Sequence, residues 1–253
     1  MTNKLKYFIG NWKMFGNLNS FRIVNQIDAF CNRYRKIEKN YKVILCVPST
    51  LIYYFSNEIR SKFVSIGGQN CHANNKFGPF TGSLTAGMLK NAGANYVILG
   101  HSENRLTGDS DKEIKKKIES AVKEKLNIIF CIGETASEKR NGKTFAVLKK
   151  QLNNSINKSH KEKKIIIAYE PRWSIGTGKL PKITELIKIF VFIKKELRKK
   201  FKTKKSNLVL YGGSVNDRNI NMFSSISDVD GFLIGGFSQS SKKFIDIIKN
   251  YYK

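Results

Sequence analysis

The sequence predicts an α/β fold in which eight parallel strands, each followed by a helix, close into a barrel. Three observations point there. Short apolar, β-branched runs recur along the whole chain; segments of helical periodicity lie between them; and polar residues able to do chemistry gather just after the runs. Repeated βα alternation implies a parallel sheet, and closure is its most economical form. At 253 residues and 41% hydrophobic content, one barrel can bury a large core. No Pro/Gly/Ser linker or low-complexity stretch divides the chain, so it reads as a single domain over 1–253. A doubly wound open sheet is the alternative architecture, but FIGNWKM stands after the first strand where that fold would carry GxGxxG.

The strand runs are Tyr7–Gly10, Val43–Val47, Val64–Gly68, Tyr96–Gly100, Ile128–Ile132, Ile165–Tyr169, Leu208–Tyr211 and Phe232–Ile234. Between them, Ile183, Leu186, Ile187, Phe190 and Val191 recur at helical spacing, as do Phe244, Ile247, Ile248 and Tyr251 in the last helix. The sixth run carries the most information. Its Ile-Ile-Ile-Ala-Tyr lacks polar alternation and so is buried on both faces, which leaves Glu170 at the C-terminal tip. Pro171 disfavours helix at Glu170 and cannot extend the ladder, so the chain leaves the sheet there and the carboxylate stays on rigid scaffold. Trp173 and Ile175 lead into Gly176-Thr177-Gly178, a loop whose N–H groups could approach an anion and cover it. A structural glutamate followed by turn glycines is the bland alternative. A nucleotide P-loop is excluded: no glycine stands five residues before Gly178, and Leu180 follows Lys179 where that motif needs Ser or Thr.

In a barrel the strand C-termini converge on one face, where chemistry is done. The tips here are Asn11 and Lys13; His101 and Ser102; Cys131, Gly133 and Glu134; Glu170; Gly212, Gly213 and Ser214; and Gly235 and Gly236. Both glycine pairs are expected to precede helices and so form an anion site. His101 follows an apolar strand and precedes a helix start, whose positive end disfavours imidazolium. His72 and His160 lack that setting and read as structural.

Composition narrows the rest. The net charge of +27 comes from 46 Lys+Arg against 19 Asp+Glu and invites a nucleic-acid reading. The excess is nearly all lysine, in runs such as Lys115–Lys117, Lys161–Lys164 and Lys194–Lys205, without interleaved aromatics. Such runs read as solvated helix faces, so nucleic acid is not the expected partner; a positive field would instead speed capture of a dianionic substrate. Cys31, Cys46, Cys71 and Cys131 show neither CxxC pairing nor metal-ligand spacing and read as buried, reduced thiols, with no metal expected. No run is apolar for long enough to span a bilayer, and a cytoplasmic, unexported protein is expected.

Six motifs then stand in order: GNWKM (Gly10–Met14), GHSENR (Gly100–Arg105), CIGE (Cys131–Glu134), AYEPRWSIGTGK (Ala168–Lys179), YGGSV (Tyr211–Val215) and the pair at Gly235. On these the chain resembles the triosephosphate isomerase family, from Phe8 to the final helix. The resemblance implies a (β/α)8 TIM barrel and a cofactor-free aldose–ketose isomerase of glycolysis and gluconeogenesis acting on a triose phosphate. It implies Glu170 as the proton-moving base, His101 as the neutral electrophile, Lys13 as the cation facing enediolate and phosphate, and Asn11 as their polar neighbour. Gly176, Ser214, Gly235 and Gly236 would give backbone N–H groups to the phosphate. Glu134, Trp173 and Tyr211 would serve lid hinge and latch, and Glu103 would support the site from behind. The loop Gln69–Gly87, with Phe77, Pro79 and Phe80, is too apolar for a free surface. In the family it docks on a second copy, which implies a homodimer with Thr81 near the partner's active site.

The chain departs from the family pattern at several positions. Asn104 and Ser83 stand where an arginine and an acidic residue pair across the dimer, so both charges are lost together. Arg172 replaces a common valine, Ser174 a common alanine, and Phe237-Ser238-Gln239 the usual Ala-Ser-Leu. A barrel acting on another sugar phosphate and a basic polyanion-binding protein are the alternative functions; Asn11, Lys13, His101 and Glu170 together favour the isomerase.

Overall fold

A computed structural model describes residues 4–34, 40–59, 61, 63–160, 165–204 and 207–253. The lysine run at 161–164 and Lys205 lie outside them. Eight strands form a closed parallel barrel in sequence order: β1 (Lys6–Asn11), β2 (Tyr41–Cys46), β3 (Val64–Gly68), β4 (Tyr96–Leu99), β5 (Asn127–Ile132), β6 (Ile165–Tyr169), β7 (Val209–Tyr211) and β8 (Gly231–Ile234). Closure is made by β1 on β8, with Phe8 opposite Phe232 and Ile9 opposite Leu233. The open doubly wound sheet is thereby excluded.

Strand residues divide by parity, as the pleat requires. One set, including Ile9, Ile44, Ile98, Ile129, Cys131, Ile166, Ala168 and Leu210, fills the barrel interior. The other, including Phe8, Val43, Val97, Phe130, Ile167 and Phe232, packs outward against the helices. All five residues of β6 are buried, the two-sided burial expected of that run. The four cysteines are buried and unpaired.

The outer layer comprises α1 (Phe21–Tyr34), α2 (Ser49–Glu58), α3 (Ala86–Asn91), α4 (Ser102–Leu106), α5 (Asp111–Lys123), α6 (Ala136–Arg140), α7 (Thr144–Ser155), α8 (Ile183–Phe201) and α9 (Ser241–Tyr251). The alternation is not strict. Between β7 and β8 the described residues hold only a 3-10 turn, Ile220–Phe223. Asn216 and Asn219 exchange side-chain-to-backbone bonds there, and Ser224 and Ser225 bond back to carbonyls three residues earlier. Such local competition is what keeps Asn- and Ser-rich segments out of α-helix. The Gly212-Gly213 pair therefore does not precede a helix directly, contrary to expectation, whereas Gly236 opens a 3-10 turn that leads into α9.

Two further corrections concern α8 and the lysine runs. The buried face of α8 is Leu186, Ile189, Phe190, Ile193 and Leu197, while Ile187 and Val191 are on its exposed side. The last helix buries Phe244, Ile247, Ile248 and Tyr251 as its spacing predicts. Lys117 and Lys194 are not solvated surface groups. Lys117 Nζ is buried between both oxygens of Asp109, at 2.7 and 2.8 Å, and Asn70 Oδ1 at 3.2 Å. Lys194 Nζ donates to the Asp228 carbonyl at 2.7 Å and pairs with Asp230 Oδ2 at 3.1 Å.

Asp230 anchors the N-terminal end of the barrel. Its Oδ2 also accepts from the Val209 N–H at 2.9 Å, and its Oδ1 pairs with Lys4. Removing the carboxylate strands Lys194 with a single, longer carboxylate contact. Asp230→Ala should therefore destabilise the fold by about 3 kcal/mol without altering substrate affinity. Urea unfolding beside an activity assay checks this: an unchanged unfolding midpoint contradicts the assignment.

Candidate active site

Glu170 follows β6 directly, and its position is fixed by its neighbours. Its N–H donates to the Ile132 carbonyl at 2.8 Å, and the Gly212 N–H donates to the Tyr169 carbonyl at 2.8 Å. Two glycines make room for it. A Cβ on Gly133 would stand 1.9 Å from the Glu170 carbonyl oxygen, and one on Gly212 would stand 2.6 Å from Glu170 Cγ. Gln151 holds Gly133 in place, accepting from its N–H at 2.9 Å and donating to its carbonyl at 3.2 Å. Glu170 is only 3% exposed, and its Oε2 has no hydrogen-bond partner among the described residues. Burial pushes the carboxyl above its ordinary range; His101, Cys131, Lys13 and the Ser102 backbone pull the other way and do not offset it.

His101 caps α4. Its Nδ1 accepts the Glu103 N–H at 3.3 Å, which commits that lone pair and leaves the ring proton on Nε2. Nε2 lies 3.5 Å from Glu170 Oε1.

Lys13 adopts a left-handed backbone, with φ at 56°. That conformation costs about 1–2 kcal/mol for a non-glycine residue and persists because several bonds hold it. Its N–H donates to Asn11 Oδ1 at 3.1 Å, Gln69 Nε2 donates to its carbonyl at 2.9 Å, and Gln239 Nε2 donates to the Trp12 carbonyl at 2.8 Å. The ammonium bonds Glu103 Oε1 at 2.6 Å, a partly exposed pair that salt and ligand can compete with.

These groups open on one cavity of about 230 Å³. Of the residues named from sequence, Asn11, Lys13, His101, Glu170, Gly176, Ser214, Gly235 and Gly236 line it. Phe237 lines it as well, with the Lys243 ammonium 5.1 Å from its ring centroid. Glu103 stands behind Lys13 and His101. Thr81 does not line this cavity; it lies on the exposed part of the loop before α3. His72 packs on Phe80 and His160 accepts from the Asn157 N–H, both away from the site.

The loop between Pro171 and Lys179, the expected lid, is tied at both ends. At the hinge, Glu134 is wholly buried and accepts from Trp173 Nε1 at 2.9 Å and from the Tyr169 hydroxyl at 3.1 Å. Lys139 sits 3.9 Å from the Trp173 ring centroid and bridges to Glu185 at 2.8 Å. At the other end, Gly178 N–H donates to Ser214 Oγ at 3.1 Å, and Ser214 Oγ donates to the Ser174 carbonyl at 2.6 Å. The Ser214 N–H, expected to serve an anion, donates to Ser174 Oγ at 3.3 Å.

Gln69, Gln151, Gln239, Lys139 and Asn216 were not found from sequence. The glutamines and Lys139 act across long sequence separations, so nothing local marks them. Asn216 alone carried a signal, since its spacing from Asn219 is that of a side-chain-stabilised turn.

Among the described residues, no helix is long and apolar enough to cross a membrane, and no group of three or more His, Cys, Asp and Glu is placed to hold a metal ion. Comparison with known proteins agrees on one relationship. A family model described as triosephosphate isomerase matches residues 6–251. The chain is similar to the triosephosphate isomerase of Bartonella bacilliformis, 38% identical over 256 residues and covering 100% of each. It is 36% identical to that of Bradyrhizobium diazoefficiens, covering 98% of this chain and 99% of the relative. A crystal structure of triosephosphate isomerase from Bartonella henselae superposes with a TM-score of 0.86 at 33% identity, covering 98% and 99% of the two chains.

Proposed function

The chain belongs to the triosephosphate isomerase family, and from that premise we propose that it interconverts D-glyceraldehyde 3-phosphate and dihydroxyacetone phosphate at this cavity through an enediolate. The observation that carries the reading is the pairing of a buried carboxylate with an imidazole nitrogen, Glu170 Oε1 to His101 Nε2 at 3.5 Å, in a cavity also lined by Gly176, Ser214, Gly235 and Gly236. Glu170 takes the proton from C1 of the ketose or C2 of the aldose and returns it to the other carbon. Burial suits it to this work, because a base with a raised pKa holds the substrate proton better. His101 Nε2–H donates to the carbonyl oxygen as negative charge builds there, and the Lys13 ammonium supports the same charge from the β1 side. Asn11 fixes the Lys13 backbone. The N–H groups of Gly176, Gly235 and Gly236, and that of Ser214 once released from Ser174, receive the phosphate. The reaction moves no net electrons, so these groups supply what it requires.

The small cavity supports a compact phosphate ester over a nucleotide or extended polyanion. We read the lysine excess as an aid to capture of a dianion, since burial of Lys117 and Lys194 in ion pairs takes them out of any polyanion surface. Placement in the cytoplasm, on the path of sugar breakdown and synthesis, and action as one domain over 1–253 belong to the same proposal. So does pairing of two copies through the 69–87 loop, where Phe77 is 81% exposed and Phe80 43% exposed, with Met14 fully exposed on the loop after β1. With Asn104 and Ser83 in place of a charged pair, that interface depends on apolar burial. Sedimentation should give twice the chain mass and tolerate high salt; a single-chain mass with full activity overturns the pairing. Conversion of glyceraldehyde 3-phosphate, coupled to reduction of the ketose at physiological salt, tests the reaction. Rapid turnover is expected, and a folded chain without turnover contradicts it.

A further inference from the structure

Position 174 is where this chain carries serine in place of the alanine common in the family, and the structure assigns that hydroxyl a task. We propose that Ser174 is a positioning residue for the lid: a latch that joins the lid's two ends to β7 and to the loop after it. The inference rests on the isomerase reading.

A serine hydroxyl has one proton to give and two lone pairs to fill. All three are used here. Ser174 Oγ donates to the Lys179 carbonyl at 2.5 Å, at the far end of the lid. It lies 3.1 Å from the Tyr211 hydroxyl, which is therefore the donor to it, and it accepts the Ser214 N–H at 3.3 Å. The Ser174 carbonyl in turn accepts from Ser214 Oγ. Ser174 and Tyr211 are both wholly buried. Ser214 Oγ shares the task from the other side, accepting from the Gly178 N–H at 3.1 Å.

Alanine at 174 would remove the acceptor of the buried Tyr211 hydroxyl and leave the Lys179 carbonyl without this donor. An unpaired buried group costs more than the net gain of the bond itself, so the docked lid loses ground to undocked arrangements. The hydroxyl touches neither Glu170 nor His101, so its loss leaves the base in place.

A lid that docks less well exposes the enediolate. Its electron pair can then collapse toward C3 and break the C3–O bond. Phosphate departs with that bond's electrons, and the remaining enol takes up a proton at carbon and becomes a 2-oxoaldehyde. No external oxidant or reductant is needed. The partition between isomerised product and free phosphate therefore reports lid docking, which a purely structural defect that reduced the amount of folded enzyme would not change.

The test measures kcat/KM and inorganic phosphate released per isomerisation for wild type, Ser174→Ala, Tyr211→Phe and the double variant. Wild-type turnover comes first: its absence would sink the isomerase reading itself. Given turnover, Ser174→Ala should lower kcat/KM on the order of tenfold and raise phosphate release per turnover by a similar factor. Tyr211→Phe should do the same, and the double variant should be no worse than the more affected single one, because one shared bond is lost. If Ser174→Ala fails to fold, Tyr211→Phe alone carries the reading through its phosphate partition. Unchanged partition in the folded variants, or effects that multiply in the double variant, would overturn the proposal.

Discussion

Glu170→Gln should lower kcat by roughly a hundred- to ten-thousand-fold and at the same time make the protein more stable at neutral pH. Both effects follow from the same burial. Glutamine keeps the shape but cannot take a proton from carbon, so turnover falls to what the remaining donors supply. The stability gain comes from the raised pKa of the wild-type carboxyl. A carboxyl whose folded pKa lies above its unfolded value favours the fold when protonated. Below the ordinary value of 4.5 both states hold the proton and wild type has no handicap from this group. As pH rises through the unfolded and then the folded pKa, that advantage is lost, and above both the folded state carries a charge it solvates poorly. The variant's advantage should thus be absent in acid, grow through that window and level off above it. Denaturant melts at several pH values, with kcat at each, check the pair of effects. The same shift places the acid limb of wild-type kcat/KM above 4.5.

His101→Asn should cost about a hundred- to a thousand-fold in kcat with little loss of stability. Asparagine is among the best N-caps, so it can replace the acceptor that His101 Nδ1 offers to the Glu103 N–H. It does not reach as a ring Nε2–H does toward the carbonyl beside Glu170. The pH profile adds a separate reading. His101 is the largest of the influences that draw the Glu170 carboxyl down, so its loss should move the acid limb upward. A limb left where wild type has it would contradict that coupling.

Much of this site was legible because its parts carry local signals. The run Ile165–Tyr169 ending in Glu170-Pro171 placed the base at a strand tip, and β6 ends where that reading put it. His101 before Ser102 and Glu103 announced a helix start, and α4 begins there. The remainder depended on tertiary contacts. Lys117 and Lys194 looked like members of solvated runs, since nothing in a lysine's neighbours reveals a carboxylate arriving from Asp109 or Asp230. Ile187 and Val191 fit a helical stripe as well as Ile189 and Ile193 do, and only docking on the barrel chose between faces. The absence of a helix after Gly213 had a readable cause in Asn216 and Asn219, which the prior of strict alternation obscured. The left-handed turn at Lys13 was hidden as well, because Gln69 and Gln239 hold it from afar.

The central claim is that Glu170 moves the proton. Proton NMR of dihydroxyacetone phosphate incubated with enzyme in deuterium oxide tests it most directly. Wild type should replace substrate C–H by C–D during isomerisation, as the carboxyl exchanges its proton with solvent between steps, and Glu170→Gln should leave the signal unchanged over the same time. Exchange at the wild-type rate in Glu170→Gln would show that another group takes the proton and would contradict the account.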